Sequence, residues 1–421
     1  MPGAGLSLYR AAASLAGVAA PLWLQRRVAL GKEDPVRWRE KLGQPSAGRP
    51  DGPLMWLHGA SLGESLSLLA LAELTRSLRP EVCVLMTCGT PAAAALLAQR
   101  APAGVIIQFA PLDIPAAVAR FLDHWRPAAA VFAESELWPN LILAAGRRGV
   151  RLALVSARLS TGSLARWRRA PGAARRVLGA FELVLARDTD AAQDLRRLGA
   201  SVEGLADLKF GAAPPPADDA AVAAVRAAFS PAPVLAASTH PGEDEIILDA
   251  FAGARRSGAD RLILVPRHPA RGEAIATLAR ARGLRVERRA PAPRLTAQAH
   301  ADVLVADTLG ELGLWFRIAR LAVLGGSLVR GVGGHNPLEP ARLACPTVVG
   351  PHTEAWPVCA EIEAAGGLRR VQPGELQQLL SAAFSDDAGL ADLGEAARVF
   401  VEPRDAAARA ALPRLLELLP R

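Results

Sequence analysis

A hydroxyl and a carboxylate stand three residues apart in the segment WLHGASLGESLSLLALAEL. The segment is typical of a strand end, a loop of small residues and an amphipathic helix. Ser61 and Glu64 have the spacing of a capping box, in which each side chain accepts a hydrogen bond from the other residue's backbone amide. A carboxylate placed here can also take a proton from a substrate hydroxyl. If Glu64 is only a cap, the base must be sought among Glu134, Glu136 and His58.

A second segment with chemical potential is LGGSLVRGVGGHNPLEPARLA, in which a strand leads into glycines and a helix begins near Asn336. Glycines let backbone amides approach a phosphate, and a following helix N-terminus favours its charge. Such turns are common, so this signal alone is weak. Asn336 and Glu339 repeat the capping spacing, but a carboxylate at Glu339 can equally accept hydrogen bonds from ribose hydroxyls. Ser327 lies at the glycine turn.

Two further strand ends of the same half of the chain carry polar residues. AASTHPGEDE ends a strand with Ser238 and Thr239 before a helix, and small hydroxyls beside a helix N-terminus suit a phosphate oxygen. VPRHPAR places Arg267 and His268 at another strand end, where the alternative is an ordinary surface loop.

The N-terminal half places two carboxylates close together in FAESELWPN, where Glu134 and Glu136 follow a strand. Such a pair is costly to bury unless arginine or a ligand compensates it. Arg158, at the next strand end, is a candidate partner. Lys209 is one of only three lysines in the chain, so it is a candidate ammonium for an anionic group. Its alternative is a solvated charge.

These residues need a scaffold that brings strand ends together. Short apolar runs of the buried parallel-strand type alternate with helical stretches from about residue 53 onward. The alternation pauses at the proline- and alanine-rich residues 211–233 and then resumes. The pattern predicts an α/β protein with two facing Rossmann-like domains, whose ligands bind at the carboxyl ends of the strands. The predicted ranges are 1–27 for an N-terminal helix, 28–212 for the first domain, 213–233 for a linker, and 234–421 for the second domain with C-terminal helices.

Composition excludes several other classes of protein. The net charge is +8, but no basic stripe is interleaved with aromatics, so no nucleic-acid partner is expected. The four cysteines have no CxxC pairing, which is typical of reduced core residues. The seven histidines form no HxH or HExxH arrangement, so we expect no catalytic metal.

The N-terminal segment GLSLYRAAASLAGVAAPLWLQRR is apolar, with Arg10 as its only charge before the final arginines. Its uncharged part is shorter than the about 20 residues that a spanning helix needs. A signal peptide, a short anchor and an interfacial helix are the alternatives. The ordered-looking KEDPVRWREKLGQP that follows argues against cleavage, and the basic flank favours a cytoplasmic domain. We expect an anchor or an interfacial helix.

The motifs together resemble a known family. HGASLGE, ESELWPN, SARLS, DLKF, STHPGEDE, PRHP, DTLGELG, GGSLVRGVGGHNPLEPA and GPHTEAW occur here in an order similar to that of bacterial 3-deoxy-D-manno-octulosonic acid (Kdo) transferases of lipid A assembly. The resemblance implies the two-domain GT-B glycosyltransferase fold, CMP-Kdo as donor and a lipid A precursor, lipid IVA, as acceptor. It also implies inverting, metal-independent transfer without a cofactor, at the cytoplasmic face of the inner membrane in lipopolysaccharide biosynthesis.

The resemblance also implies residue roles, with Glu64 as the general base. The residues expected on the donor side are Arg267, His268, Ser238, Thr239, Ser327, Asn336, Glu339 and Lys209. Those expected on the side of the acceptor or the Kdo carboxylate are His58, Ser61, Glu134, Glu136 and Arg158.

Two other functions compete with this one. Sugar-nucleotide 2-epimerases share two facing Rossmann domains and an Arg-His-Pro strand end, but the apolar N-terminus and HNPLEP argue against a soluble isomerase. A membrane scaffold without catalysis would require Glu64 to be only a cap.

Overall fold

The structure, a computed structural model, describes residues 4–211, 214–255, 260–289, 301–385 and 389–420. Its contacts divide the chain into two compact units. The first unit comprises Met1–Ala212 and Arg404–Arg421, and the second comprises Ala213–Pro403. Each unit contains a parallel sheet with helices on both faces, so the predicted α/β class with two Rossmann-like domains is confirmed.

The described residues of the first unit form a seven-stranded parallel sheet in the order β3-β2-β1-β4-β5-β6-β7. The order reverses beside β1, so the carboxyl ends of β1 and β4 form the crevice where such sheets bind ligands. The elements are α1 (Ala4–Ala29), β1 (Leu54–His58), α2 (Leu62–Ser67), α3 (Leu69–Leu78), β2 (Cys83–Cys88), α4 (Pro91–Arg100), β3 (Ile106–Phe109), α5 (Pro115–Trp125), β4 (Ala129–Ala133), α6 (Pro139–Arg147), β5 (Arg151–Ala157), α7 (Thr161–Arg168), α8 (Pro171–Leu178), β6 (Leu183–Ala186), α9 (Thr189–Arg197) and β7 (Gly204–Leu205).

Strand β1 shows why these apolar runs form the centre of a sheet. All five of its residues are buried. Because successive side chains of a strand point to opposite faces, Leu54 and Trp56 enter the core cluster that contains Phe121 and Trp125 of α5. Met55 and Leu57 enter the cluster on the other face. Burial on both faces requires covering helices on both faces.

Over the described ranges, the second unit has a second parallel sheet of seven strands, in the order β10-β11-β9-β8-β12-β13-β14. Its order reverses beside β8, so the ends of β8 and β12 form the corresponding crevice. The elements are α10 (Asp219–Ala228), β8 (Val234–Thr239), α11 (Glu243–Ala254), β9 (Leu262–Pro266), α12 (Gly272–Arg280), β10 (Val286–Arg288), β11 (Val303–Val305), α13 (Leu312–Ile318), β12 (Leu321–Leu324), α14 (Leu338–Arg342), β13 (Thr347–Val349), α15 (Val358–Ala364), β14 (Arg369–Arg370), α16 (Leu376–Ala383) and α17 (Gly389–Leu416).

The structure corrects the predicted domain ranges at two places. Part of the predicted linker forms helix α10, capped by Asp218, and belongs to the second unit. The end of α17 and the residues after it belong to the first unit, not the second. The reason is burial: Leu412, Leu415 and Leu419 pack into the same cluster as Met55 and Leu57 of β1.

Helix α1 lies on the first unit with one face and leaves others uncovered. Leu24 is buried and packs with Leu42. Leu15, Val18 and Leu22 are exposed, and Val18 retains 81% of its accessible surface.

Among the described helices, none combines the length and the apolar character required to cross a membrane.

Candidate functional site

The Ser61–Glu64 capping box is present at the start of α2. The Glu64 amide donates to Ser61 Oγ at 3.2 Å, and the Ser61 amide donates to Glu64 Oε2 at 3.3 Å. The Ala60 amide donates to the same oxygen at 2.8 Å. Both backbone donors therefore bind one carboxylate oxygen, and no backbone amide of the described residues donates to Oε1. Glu64 is held as a cap and still has an oxygen that can receive a proton.

The environment of Glu64 favours its protonated form more than water does. Burial raises its pKa, and the negative charges of Glu136 and then Glu134 raise it further. Hydrogen bonding to Ser61 opposes the shift. A raised pKa makes a carboxylate a stronger proton acceptor, which suits a general base near neutral pH.

His58, the last residue of β1, connects the core of the sheet to Glu136. Thr87 Oγ1 accepts a hydrogen bond from Trp56 Nε1 at 2.8 Å and lies 2.8 Å from His58 Nδ1. The Thr87 hydroxyl therefore joins the Trp56 indole to the His58 imidazole. His58 Nε2 lies 3.4 Å from Glu136 Oε2 and, among the described residues, has no partner with hydrogen-bond geometry.

Glu136 is anchored from a second side by Trp138, whose Nε1 donates to Oε2 at 2.5 Å. Burial disfavours the charged carboxylate, but the nearby His58 imidazole and then the hydrogen bond of Trp138 bring its pKa below the usual value. Glu136 therefore carries the negative charge that acts on Glu64.

Glu134 is compensated by the two predicted cations. Arg158 Nε and Lys209 Nζ lie 2.8 Å and 2.7 Å from its two carboxylate oxygens. Burial disfavours ionisation, but Lys209 and then Arg158 lower the pKa of Glu134. Arg158 and Lys209 remain 41% and 36% exposed, so both positive charges are accessible from solvent. Lys209, predicted on the donor side, lies in the first unit with these groups.

Local backbone geometry turns these side chains out of the sheet. Glu134, directly after β4, has a φ of 54°, and Ser156, near the end of β5, has a φ of 50°. Few residues other than glycine adopt this region, and they do so mainly where tertiary contacts enforce it, often at functional sites. The register of β5 and β6 shifts at Ser156, whose hydroxyl accepts the Leu208 amide at 2.9 Å and so ties the Lys209 turn to β5.

In the second unit, the main finding is a residue that was not predicted. Glu243, in the first turn of α11, is completely buried. Its carboxylate accepts the amides of Gly326, Ser327 and Leu328 at 2.7–3.0 Å and the amide of His240 at 2.9 Å. The glycine-turn amides predicted to hold a phosphate are thus already occupied by an internal carboxylate. His240 and Glu243 have the same three-residue spacing as Ser61 and Glu64, and this spacing is the sequence signal that could have identified Glu243.

Two predicted donor-side hydroxyls also face inward. Ser327 Oγ donates to the Leu324 carbonyl and accepts the Gly350 amide at 2.8 Å. Thr239 Oγ1 donates to Asp244 at 2.6 Å. Both residues are completely buried. Their side chains therefore hold the strand ends in place, which corrects their predicted role as ligand-facing groups.

Ser238, a third predicted hydroxyl, has a φ of 60° at a register shift between β8 and β9. It lies beside a pair of histidines that the predicted site did not include. His240 Nε2 and His335 Nε2 are 2.9 Å apart, and the two rings stack at 5.1 Å. Arg267 and His268 directly follow β9 and are exposed, and the His268 ring lies 6.2 Å from that of His240. These residues form a cationic edge of the second sheet.

Asn336 and Glu339 are joined as neighbours but not as a capping box. Asn336 Oδ1 accepts the Leu338 amide at 3.0 Å, and its Nδ2 donates to Glu339 Oε1 at 3.3 Å. Helix α14 begins at Leu338, close to the predicted start near Asn336. Both side chains are only half-buried, which is compatible with contact to a ligand.

Within the part of the chain that the structure describes, no group of three or more His, Cys, Asp or Glu residues is arranged to hold a metal ion.

Comparison with known proteins identifies relatives over most of the chain. A family model described as 3-Deoxy-D-manno-octulosonic-acid transferase (kdotransferase) matches residues 36–212. The probable 3-deoxy-D-manno-octulosonic acid transferase, mitochondrial, of Arabidopsis thaliana is 35% identical over 365 residues, 83% of this chain and 80% of that protein. The 3-deoxy-D-manno-octulosonic acid transferase of Bordetella pertussis is 32% identical over 418 residues, 94% of this chain and 96% of that protein.

Solved structures share the GT-B architecture. Acinetobacter baumannii MurG matches with a TM-score of 0.53 and 12% identity, over 87% of this chain and 100% of that chain. The UDP-GlcNAc 2-epimerase of Neisseria meningitidis matches with a TM-score of 0.50 and 12% identity, over the same shares. At such identities the likeness shows the fold alone, so it does not favour the epimerase alternative. The relatives above 30% identity are named as transferases.

Proposed function

Because the chain belongs to the 3-deoxy-D-manno-octulosonic acid transferase family of glycosyltransferases, we propose that it moves Kdo from CMP-Kdo to a lipid A precursor, lipid IVA. The proposed reaction is an inverting displacement that uses no metal and no cofactor. The observation that carries the proposal is Glu64, a buried carboxylate at the sheet's binding crevice whose pKa is raised and whose Oε1 receives no backbone amide of the described residues.

Glu64 is proposed to take the proton of the acceptor hydroxyl while that oxygen attacks the anomeric carbon of Kdo. The negative charges of Glu136 and Glu134 raise its proton affinity. His58 and Trp138 hold Glu136 as the charged neighbour. Ser61 fixes the backbone from which Glu64 extends.

Anionic parts of the substrates need compensation, and the structure supports one place for it in the first unit. Arg158 and Lys209 both pair with Glu134 and remain partly exposed, so an anion can approach their positive charges from solvent. We propose that this pair receives the Kdo carboxylate or a phosphate of the acceptor.

The second unit is proposed to bind the cytidine nucleotide. The exposed Arg267 guanidinium and His268 imidazole suit the phosphate, and the half-buried Asn336 and Glu339 suit ribose hydroxyls. Ser238, at the end of β8, is proposed to lie beside the bound nucleotide. In the absence of a metal, stabilisation of the departing phosphate rests on such cations and on backbone donors.

The uncovered face of α1 supports a position at the cytoplasmic surface of the inner membrane. Leu15, Val18 and Leu22 are exposed together with Trp23, at 49%. Apolar side chains with basic residues at the helix end suit an anionic membrane interface. Co-flotation with anionic vesicles tests this proposal: Val18→Glu is expected to reduce it, and an unchanged fraction would contradict it.

The test of the proposed function is Glu64→Gln, assayed for Kdo transfer from CMP-Kdo to lipid IVA together with thermal unfolding. Glutamine also completes a capping box, so the substitution keeps the cap and removes the base. We expect a loss of about a hundredfold or more in rate at an unchanged melting temperature. Glu73→Gln, an exposed residue of α3, is the matched control and is expected to keep full activity.

Retained activity in Glu64→Gln would assign Glu64 to capping alone and direct the search to Glu134, Glu136 and His58. If the parent protein transfers no Kdo, the proposed function itself is wrong, and incubation with UDP-N-acetylglucosamine tests the epimerase alternative.

A further inference from the structure

The His240–His335 pair has a geometry that restricts its protons. Two imidazole nitrogens 2.9 Å apart can be joined only by a single proton, donated by one ring and accepted by the other. Both rings are half-buried, so the pair is in reach of solvent and of a ligand. An added proton must therefore go to the pair as a whole, as expected for coupled groups.

The groups that face the pair are mostly cationic. His240 is acted on by His268, Arg271 and Arg267, and by one carboxylate, Glu243. His335 is acted on by His240 and Arg267, and its ring is hydrogen-bonded to the Ser238 carbonyl. Of the two opposing carboxylates nearby, Glu243 is bound by four amides, and Asp244 is paired with Arg271.

This environment keeps the free pair neutral. Burial, and then the interactions with His240 and Arg267, lower the pKa of His335 to about 4. Burial also lowers the pKa of His240, where Glu243 opposes the effect of the cations. An anion placed among these cations would cancel the charges that suppress protonation, and the pair would then take up a proton.

We propose that His240 and His335 form a proton-uptake site for the donor's phosphate, in which the pair gains one proton from solvent when the phosphate binds beside Arg267. This inference rests on the proposed cytidine-nucleotide donor. The added positive charge stabilises the phosphate in the bound state and in the departing nucleotide. In this step a ring nitrogen forms an N–H bond with a proton taken from solvent, no other bond changes, and the proton returns to solvent when the nucleotide leaves.

Glu243 acts as the positioning residue of the pair. It holds the His240 amide directly, and it holds the turn from Gly326 to Leu328. The Gly334 amide, adjacent to His335, donates to the Gly326 carbonyl at 2.7 Å. Both histidines are therefore fixed relative to one buried carboxylate, so the 2.9 Å separation exists before a ligand binds.

The test measures proton exchange on binding of CMP, the phosphate-bearing part of the donor. Calorimetric titrations at pH 6.5 in buffers of different ionisation enthalpy give the number of protons taken up. If bound phosphate returns the pair to the ordinary histidine pKa, roughly half a proton per CMP or more is expected. The phosphate monoester of CMP itself has a pKa of about 6. Binding to cations lowers that pKa, so the phosphate releases protons, which is opposite in sign to the uptake expected from the histidine pair.

Three comparisons make the result specific. Cytidine, which lacks the phosphate, is expected to bind without uptake. His335→Gln and His240→Gln keep a hydrogen-bonding side chain but remove the shared titration, so uptake is expected to disappear while CMP still binds more weakly. His124→Gln replaces a half-buried histidine of α5 that contacts the Ala47 carbonyl; it is the control and is expected to match the parent.

Absence of uptake by the parent, equal uptake with cytidine, or equal uptake in the glutamine variants would each overturn the proposal. A pair that only joins two loops would bind CMP without proton exchange. The parent measurement needs no substitution, so the proposal stays testable if a variant does not fold. If the parent binds no CMP and transfers no Kdo, the proposed function fails first; if it transfers Kdo without uptake, only this inference fails.

Discussion

Replacing Glu243 by glutamine tests whether its carboxylate organises the second unit. Four backbone amides donate to its two oxygens in a fully buried setting. Glutamine keeps one acceptor oxygen and presents an NH₂ group in place of the other. Two amides then lose their acceptor, at about 1–3 kcal/mol each. We expect a loss of about 4 kcal/mol in the free energy of unfolding.

For a unit of this size, each kcal/mol shifts the melting temperature by about 2–4 °C. The melting transition of the second unit is therefore expected to fall by about 10 °C in calorimetry. Glu273→Gln is the matched control, because Glu273 also lies in the first turn of a helix but is 63% exposed. Its ion pairs contribute little, and a shift below about 2 °C is expected.

A melting temperature within about 2 °C of the parent for Glu243→Gln would refute this reasoning. It would mean that the amides of Gly326 and its neighbours find other acceptors without the carboxylate. They would then again be candidates for direct phosphate binding, as the glycine turn first suggested.

Three other substitutions separate the roles of neighbouring groups. Glu136→Gln removes the negative charge that, after burial, does most to raise the pKa of Glu64. The acidic limb of the kcat/KM profile is therefore expected at lower pH. An unmoved limb would mean that Glu64 is not the titrating base. Lys209→Met is expected to lower the free energy of unfolding by about 1–3 kcal/mol at pH 7. The loss is limited because Arg158 still pairs with Glu134. Lys209 lowers the pKa of Glu134, so this loss of stability should shrink as the pH falls through the pKa of that carboxyl. Urea unfolding at pH 7 and pH 4 measures it. An equal loss at both pH values would mean that Lys209 does not stabilise the charged Glu134. Thr239→Val removes the hydrogen bond to a buried carboxylate and is expected to lower the free energy of unfolding by about 1.5–3 kcal/mol. The KM for the donor is expected to stay within about twofold of the parent. A raised KM at unchanged stability would mean that Thr239 does contact the donor.

The first unit was predictable in most of its chemistry. The carboxyl ends of β1, β4 and β5 meet at one edge of a parallel sheet, so residues that follow these strands must approach each other. This accounts for the pairing of Glu134 with Arg158, which the sequence suggested. Trp138 and Thr87 were missed as partners because their hydrogen bonds depend on side-chain directions that strand order does not specify.

The second unit was predicted less well, because its glycine turn admits two arrangements. An open turn would present its amides to a phosphate, and a closed turn would use them internally. The three amides of the glycine turn that donate to Glu243 lie 83 to 85 residues away from it along the chain. No local pattern shows whether a distant carboxylate reaches the turn.

Strand–helix alternation and the Ser61–Glu64 spacing were determined by the sequence alone, because both follow from burial and hydrogen bonding within a few neighbouring residues. Tertiary structure alone decided which polar groups are used internally. It buried Thr239, Ser327 and Glu243 in the support of the second site and brought His240 and His335 together. These outcomes depend on contacts between segments far apart in the chain, which only the packed sheets bring within hydrogen-bonding distance.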